Sequence, residues 1–129
     1  MILLDTHVLV WSQTEQRRLS RASASAIRRS RTSGSLAISA ISMVEIASLM
    51  ERGRLRIHGS IESVIAQFTD DVTVLPITRE IAVFTAYFPP DFSRDPSDRI
   101  IAATARAEGI PLVTADQRIQ ACPLVKTIW

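Results

Sequence analysis

Four acidic residues in this sequence are placed so that a fold of alternating strands and helices would bring their carboxylates together. Asp5 and Asp116 each follow a short apolar run, and Glu45 and Asp98 each lie near the expected beginning of a helix. Clustered carboxylates repel one another and raise each other's pKa, and a divalent cation relieves that repulsion. Ligation by carboxylate oxygens alone favours Mg²⁺ or Mn²⁺ over zinc. The four residues therefore predict metal-assisted hydrolysis of phosphodiester bonds.

Each acid also has a simpler structural explanation. Glu45 matches a capping box with Ser42, and Asp98 suits the first turn of a helix. Asp5 and Asp116 could form turns after their strands. These four local roles are independent, so they do not explain why all four acids fall on one edge, where their repulsion would destabilise the fold.

The elements that must position these acids follow from the apolar pattern. Strands are expected over about 2–5, 36–38, 72–77, 110–114 and 125–128. Helices are expected over about 21–31, 43–52, 61–68, 79–87 and 96–108, with a helix or turn over 6–11. The helix over 96–108 is expected to have Asp95 as its cap and Pro96 at its first position. Pro76 suggests that the third strand lies at an edge. The alternation predicts one domain, 1–129, with a parallel sheet covered by helices on both faces.

The carboxyl ends of parallel strands lie along one edge of the sheet, where ligands bind. Asp5 and Asp116 directly follow the first and fourth strands. Glu45 is expected on the first turn of the helix after the second strand. Asp98 is expected on the first turn of a helix that runs antiparallel to the fourth strand, which returns that turn to the same edge.

Composition excludes several other classes of protein. The chain is 47% hydrophobic and 22% charged, which is typical of an ordered domain. No apolar run approaches the ~20 residues needed to cross a bilayer, and the N-terminus does not resemble a secretory signal. A lone Cys122 excludes an internal disulfide, and with two histidines it gives no zinc motif. The expected location is a reducing cytoplasm, with no membrane association.

The basic residues are unevenly distributed. Fourteen of the fifteen are arginine, and apart from the four acids the chain carries a net charge of +6. A negative pocket in a basic surface suits a polyanion carried to a metal. Six arginines lie within residues 17–31. They could bind phosphates, bind an acidic partner or form a solvated helix face, and the sequence leaves these alternatives open.

Four segments together resemble the PIN-domain ribonucleases, and in particular the VapC-type toxins of bacterial toxin–antitoxin pairs. They are LLDTHVLVW (3–11), SMVEIA (42–47), DPSDRIIAATA (95–105) and LVTAD (112–116). The resemblance extends over nearly the whole chain. It implies a three-layer α/β/α sandwich with a mostly parallel five-stranded sheet. It also implies an endoribonuclease that depends on Mg²⁺ or Mn²⁺, forms a homodimer and is inhibited by a cognate antitoxin.

The resemblance assigns catalysis and metal binding to Asp5, Glu45, Asp98 and Asp116. It implies supporting roles for Thr6, Thr114, Asp95 and Arg99. We interpret Asp95 as a helix cap that could reach the metal through water, and Arg99 as a residue that orients an acid. His7 is expected to have a packing or hydrogen-bonding role.

Other functions remain possible on the sequence alone. A non-catalytic RNA- or protein-binding module could have the same fold. A phosphatase of the haloacid-dehalogenase type needs a second aspartate two positions after the first, where this chain has His7. A receiver domain needs paired acids near the first strand. A DNA substrate stays open, because chemistry at phosphorus does not select the sugar.

Overall fold

The sheet has five strands, all parallel, in the order β3-β2-β1-β4-β5. The computed structural model describes residues 1–129. The strands are β1 (Ile2–Leu4), β2 (Leu36–Ser39), β3 (Thr73–Leu75), β4 (Leu112–Val113) and β5 (Thr127–Ile128). The helices are α1 (Thr6–Thr14), α2 (Arg21–Thr32), α3 (Ala40–Glu51), α4 (Ile61–Thr69), α5 (Arg79–Phe84), α6 (Pro96–Glu108) and α7 (Gln117–Gln120), with a 3₁₀ turn over Gln16–Arg18. No helix is both long enough and apolar enough to span a membrane.

Both faces of the sheet are packed, because successive side chains of each strand point to opposite sides. Leu4 lies in one core with residues of α1, α2, α3 and α4, whereas Leu3 lies in the other with residues of α6 and α7. Leu3 and Leu4 are both fully buried. Two separate cores on one central sheet make three layers, which confirms the predicted α/β/α sandwich.

Helix α6 packs on the sheet through small side chains. Ala102 and Ala105 share a core with Leu3 and Ala37. Small residues at such a contact let the helix backbone approach the strands closely. The helix begins after Asp95, with Pro96 at its first position, as the sequence predicts, and ends at a left-handed Gly109.

Helix α3 begins earlier than predicted. β2 continues directly into the helix, and the Ser39 hydroxyl accepts a hydrogen bond of 3.2 Å from the Ile41 amide. The predicted capping box is therefore wrong, because Ser42 is already inside the helix and is buried. Glu45 lies on the second turn rather than the first. It still reaches the carboxyl edge, as described below.

β3, β4 and β5 are shorter than predicted and α1 is longer, and two differences concern helices near the acids. α5 ends at Phe84 instead of residue 87. The carbonyl of the next residue, Thr85, accepts a hydrogen bond from Arg99. The short helix α7 was not predicted, because only four residues separate its cap at Asp116 from its end. The edge position of β3, indicated by Pro76, is confirmed.

Candidate active site

Asp5 lies directly after the central strand and is the N-cap of α1. Its carboxylate accepts hydrogen bonds from the Thr6 amide (2.9 Å) and from the Thr114 hydroxyl (2.7 Å). The residue is only 3% exposed. Burial raises the pKa of Asp5, although nearby His7 and these two hydrogen bonds oppose the shift.

Thr6 connects Asp5 to α3. Its hydroxyl donates to the carboxylate of Glu45 and forms a second hydrogen bond of 2.8 Å with the Ser42 hydroxyl. The pKa of Glu45 is raised to about 7, mainly by burial and further by the charges of Asp5, Asp95 and Asp98, while the Thr6 hydrogen bond opposes the shift. Glu45 is thus only partly ionised at neutral pH, because it lies in a site that already holds other acids.

Thr114 connects Asp5 to the segment after β4. The Thr114 hydroxyl, which donates to Asp5, accepts a hydrogen bond of 3.1 Å from the Asp116 amide. One carboxylate oxygen of Asp116 accepts from the Arg118 amide at 2.8 Å and caps α7. A single buried hydroxyl therefore fixes the ends of β1 and β4 relative to each other.

His7 makes a second connection between the same two strand ends. Its Nε2 accepts a hydrogen bond of 3.2 Å from the Ala115 amide, and its Nδ1 lies 3.6 Å from the Asp5 carboxylate. An acceptor nitrogen carries no proton, so this geometry places the proton of the neutral ring on Nδ1, facing Asp5. The expected hydrogen-bonding role of His7 agrees with these contacts.

Asp98 approaches from the other side, on the first turn of α6. The Ser93 hydroxyl donates to its carboxylate at 2.6 Å. Burial raises the pKa of Asp98, this hydrogen bond opposes the shift, and the charges of Asp5, Asp95 and Asp116 add to it. Asp98 has no side-chain hydrogen bond to the other acids, so its link to them is electrostatic.

Arg99 and Asp95 hold the segment around Asp98. The Arg99 guanidinium donates to the carbonyls of Ser93 (2.8 Å) and Thr85 (2.9 Å) and contacts no carboxylate. Asp95 caps α6 through a hydrogen bond of 3.4 Å from the Ser97 amide. Arg99 therefore acts on Asp98 indirectly, by fixing the backbone that carries Ser93.

The fold thus brings all four predicted acids to the carboxyl edge of the sheet, close enough for their charges to interact. No group of three or more acidic, histidine or cysteine side chains is arranged there, or elsewhere, as a ready-made metal site. The charge of the cluster is nevertheless unbalanced. The structure has two ion pairs between charged side chains, Arg18–Glu15 and Arg31–Asp71, and neither includes any of the four acids.

The donor set fits a hard divalent cation. Mg²⁺ keeps several waters and usually takes only one or two protein carboxylates, so it does not require a closed cage of protein ligands. The pKa values of Glu45 and Asp98 are raised, and neither carboxylate is paired with a cationic side chain, so a divalent ion would stabilise their charged forms.

Sequence reasoning did not identify two hydroxyl residues of the site. Ser93 lies five residues before Asp98 in an irregular segment, and no periodicity or cap signal marks it. Ser42 did carry a signal, but it was interpreted as a helix cap. Its position three residues before Glu45 also places both side chains on one face of α3.

Two comparisons with known proteins cover nearly the whole chain. The family model of the PIN domain matches residues 2–123. Ribonuclease VapC22 from Mycobacterium tuberculosis (strain ATCC 25618 / H37Rv) is 37% identical over 130 residues, which cover 99% of this chain and 98% of that protein.

Solved structures show the same fold at low sequence identity. VapBC2 from Rickettsia felis, bound to a DNA fragment from their promoter, gives a TM-score of 0.75 at 16% identity and covers 98% of this chain and 97% of that one. DNA-bound VapBC from Salmonella typhimurium gives 0.74 at 17% identity, with 98% and 95% covered. With a family model that spans nearly all of its length and a relative that aligns from end to end, the chain belongs to the PIN-domain family.

Proposed function

We propose that this protein is an endoribonuclease that requires Mg²⁺ or Mn²⁺ and acts as the toxin of a toxin–antitoxin pair. The observation that carries the proposal is the gathering of four carboxylates at the carboxyl edge of a parallel sheet without a lysine or arginine paired to them. The name of the M. tuberculosis relative supports RNA as the substrate.

Asp5, Glu45, Asp98 and Asp116 would hold the cation. Bound there, the ion would supply a nucleophilic water at neutral pH and stabilise the charge that develops on the phosphate. The PIN-domain match supports this assignment through the family's fold, and the chemistry of the four donors supports it independently.

The remaining residues of the site position these donors. Thr114 and the Thr6 amide fix Asp5, the Thr6 hydroxyl fixes Glu45, and Ser93 fixes Asp98. Each hydroxyl donates to a carboxylate that has further lone pairs available. The carboxylates are thus oriented before any ligand arrives, which lowers the cost of assembling the site.

We also propose a cognate antitoxin as the inhibiting partner, a homodimeric assembly and a cytoplasmic location. The solved structures of similar fold are described as VapBC complexes and as a toxin–antitoxin complex from Klebsiella pneumoniae. Light scattering on the purified chain, alone and with the product of a neighbouring reading frame, tests the assembly and the partner separately.

The central experiment compares RNA cleavage by the purified protein with Mg²⁺ or Mn²⁺ and after treatment with EDTA. We expect Asp5→Asn and Asp98→Asn to abolish cleavage, because each removes a charge from the metal-binding set while preserving side-chain shape. Asp70→Asn is the matched control, since Asp70 is exposed at the end of α4 and contacts none of the four acids.

Undiminished cleavage by either site variant, or by the EDTA-treated protein, contradicts the proposal. A non-catalytic RNA- or protein-binding module is the competing function. That function is supported if added metal raises thermal stability but no RNA in a broad panel is cut.

A further inference from the structure

Both tryptophans of the chain lie together beside the carboxylate cluster. The rings of Trp11 and Trp129 have centroids 6.1 Å apart and are tilted by 58°. The guanidinium carbon of Arg18 lies 4.1 Å from the centroid of the Trp11 ring. These three side chains form one contiguous cluster in which Arg18 lies over a face of Trp11 and the two indole planes are not parallel; it is called here the tryptophan platform.

The platform is not an extension of the core. Trp11 belongs to neither hydrophobic core, and Trp129 is partly buried against the first. Both residues are partly exposed. The Arg18 side chain is 50% exposed, and its ion pair with Glu15 is long, at 3.8 Å, and solvent-accessible. Such a pair contributes little to stability, so breaking it to move the Arg18 side chain costs little free energy.

The platform is joined to the site through one turn of α1. His7 and Trp11 are four residues apart on the helix, and their rings have centroids 4.8 Å apart. His7 in turn contacts Asp5 and the backbone of Ala115. A group stacked on the platform would therefore be adjacent to the proposed cleavage site.

The surface next to the platform is basic. The 3₁₀ turn that places Arg18 over Trp11 also places Arg17 at a cavity of about 320 Å³, which Arg28 and Arg31 line. Arg31 is paired with Asp71, whereas Arg17 and Arg28 have no ion pair. The cavity is connected to the platform through Ser12 and Arg17, the chain neighbours of Trp11 and Arg18, and none of the platform side chains lines it.

We propose that the tryptophan platform binds an unpaired nucleobase of the RNA substrate by stacking, with its phosphates directed toward Arg17 and Arg28. The proposal rests on the nuclease function proposed above. Proteins bind single-stranded nucleic acid with aromatic rings and arginine planes beside a basic groove, and every base offers a face for stacking. The chain has only seven Phe, Trp and Tyr residues among 129, and both tryptophans lie in this one surface.

The test uses the intrinsic fluorescence of the two tryptophans, which are the only ones in the chain. EDTA-treated protein is titrated with a short single-stranded oligouridylate, so that binding is measured without cleavage. We expect saturable quenching, and a much weaker response to a duplex RNA of equal charge, because its bases are already stacked on one another.

Variants then locate the contact by anisotropy of labelled oligouridylate. We expect Trp129→Leu and Trp11→Leu to weaken binding about tenfold or more, with Trp129→Phe retaining most of the affinity because it keeps a ring. Arg18→Lys keeps the charge and loses the planar group, so it should also weaken binding. Tyr87→Leu is the aromatic control, since Tyr87 is exposed and follows α5, which packs on α6 at the other face of the sheet.

The proposal is overturned if the tryptophan variants, folded by circular dichroism, bind oligouridylate as the wild type does. It is also overturned if they lose affinity only for a protein antitoxin. If the wild type cleaves RNA and the platform variants bind and cleave RNA normally, the role of the platform is rejected and the nuclease function stands. Wild-type protein that shows quenching but never cleaves supports the platform and rejects the nuclease function.

Discussion

The carboxylate cluster has two sides that are built differently. On the strand side, Asp5 and Asp116 follow neighbouring parallel strands and are joined through the buried hydroxyl of Thr114. On the helix side, Asp98 lies on the first turn of α6 and is held by Ser93, which belongs to an irregular segment. The first arrangement depends on strand register, and the second depends on a loop.

The difference shows which part of the site the fold fixes most firmly. Shifting β1 against β4 by one residue would turn their core side chains to the wrong faces, so strand register is strongly specified. The loop that carries Ser93 is held by two hydrogen bonds from Arg99 to backbone carbonyls. We therefore expect Thr114, which positions the strand side, to contribute mainly to stability, and Ser93, which positions the helix side, to contribute mainly to activity.

Thr114→Val should have the largest effect on stability. It preserves volume but leaves the buried Asp5 carboxylate without its Thr114 hydrogen bond and the Asp116 amide without an acceptor. We expect a loss of about 2–3 kcal/mol in the free energy of unfolding, measured in urea. Thr32→Val, on the exposed end of α2, is the control and should change little. An equal loss in both variants would contradict the role given to the strand side.

Ser93→Ala should cost less stability, about 1 kcal/mol, but reduce RNA cleavage more than its stability effect explains. It frees the Asp98 carboxylate to adopt other orientations, because the 2.6 Å hydrogen bond is lost. Ser33→Ala, at an exposed turn, is the control. The two sides share no hydrogen-bond partner. The losses of unfolding free energy in Ser93→Ala and Thr114→Val should therefore add in the double variant. Strong non-additivity would show that the two sides are energetically coupled.

Glu45→Gln should have the smallest effect and the opposite sign. The folded protein raises the pKa of Glu45 from 4.5 to about 7, so the proton-linked stability is fully present below pH 4.5 and is lost as pH rises through 7. The glutamine variant lacks this loss and should be more stable than wild type at pH 8 in the absence of metal. The gain should be about 1 kcal/mol or less, because Glu45 is partly solvated.

Urea unfolding at pH 5 and pH 8 measures this difference. The gain should shrink at pH 5, where the wild-type carboxyl is largely protonated. Saturating Mg²⁺ at pH 8 should also reverse it, since the cation would stabilise the wild-type charge. If Glu45→Gln is less stable than the wild type at pH 8 without metal, the ionised Glu45 carboxylate does not destabilise the folded protein.

Sequence patterns were sufficient for the architecture and for the convergence of the acids. Apolar runs without alternation predicted the buried strands. The parallel topology alone predicted that Asp5 and Asp116 lie at the carboxyl edge of the sheet. The cap at Asp95, with Pro96 beside it, fixed the start of α6 and hence the place of Asp98. These features depend on local chemistry that the sequence displays directly.

Other features depend on contacts that no local pattern encodes. Ser42 satisfies a capping box in sequence, yet the strand before it continues into the helix and Ser39 takes the cap. Ser93 reaches Asp98 only because a loop folds back, and Trp11 meets Trp129 only because the residue that follows β5 lies beside α1. Helical periodicity and capping rules describe neighbours within about four residues and cannot report such meetings.

The alanine surface of α6 has a consequence for how this site can vary. The distance of Asp98 from the sheet depends on Ala102 and Ala105, because these small side chains set the spacing between α6 and the strands. A single added methyl group in this layer would tilt or lift the helix, and the carboxylate at its tip would move with it. The distance between the two sides of the cluster is thus adjustable from the interior, by residues that never contact a metal or a substrate.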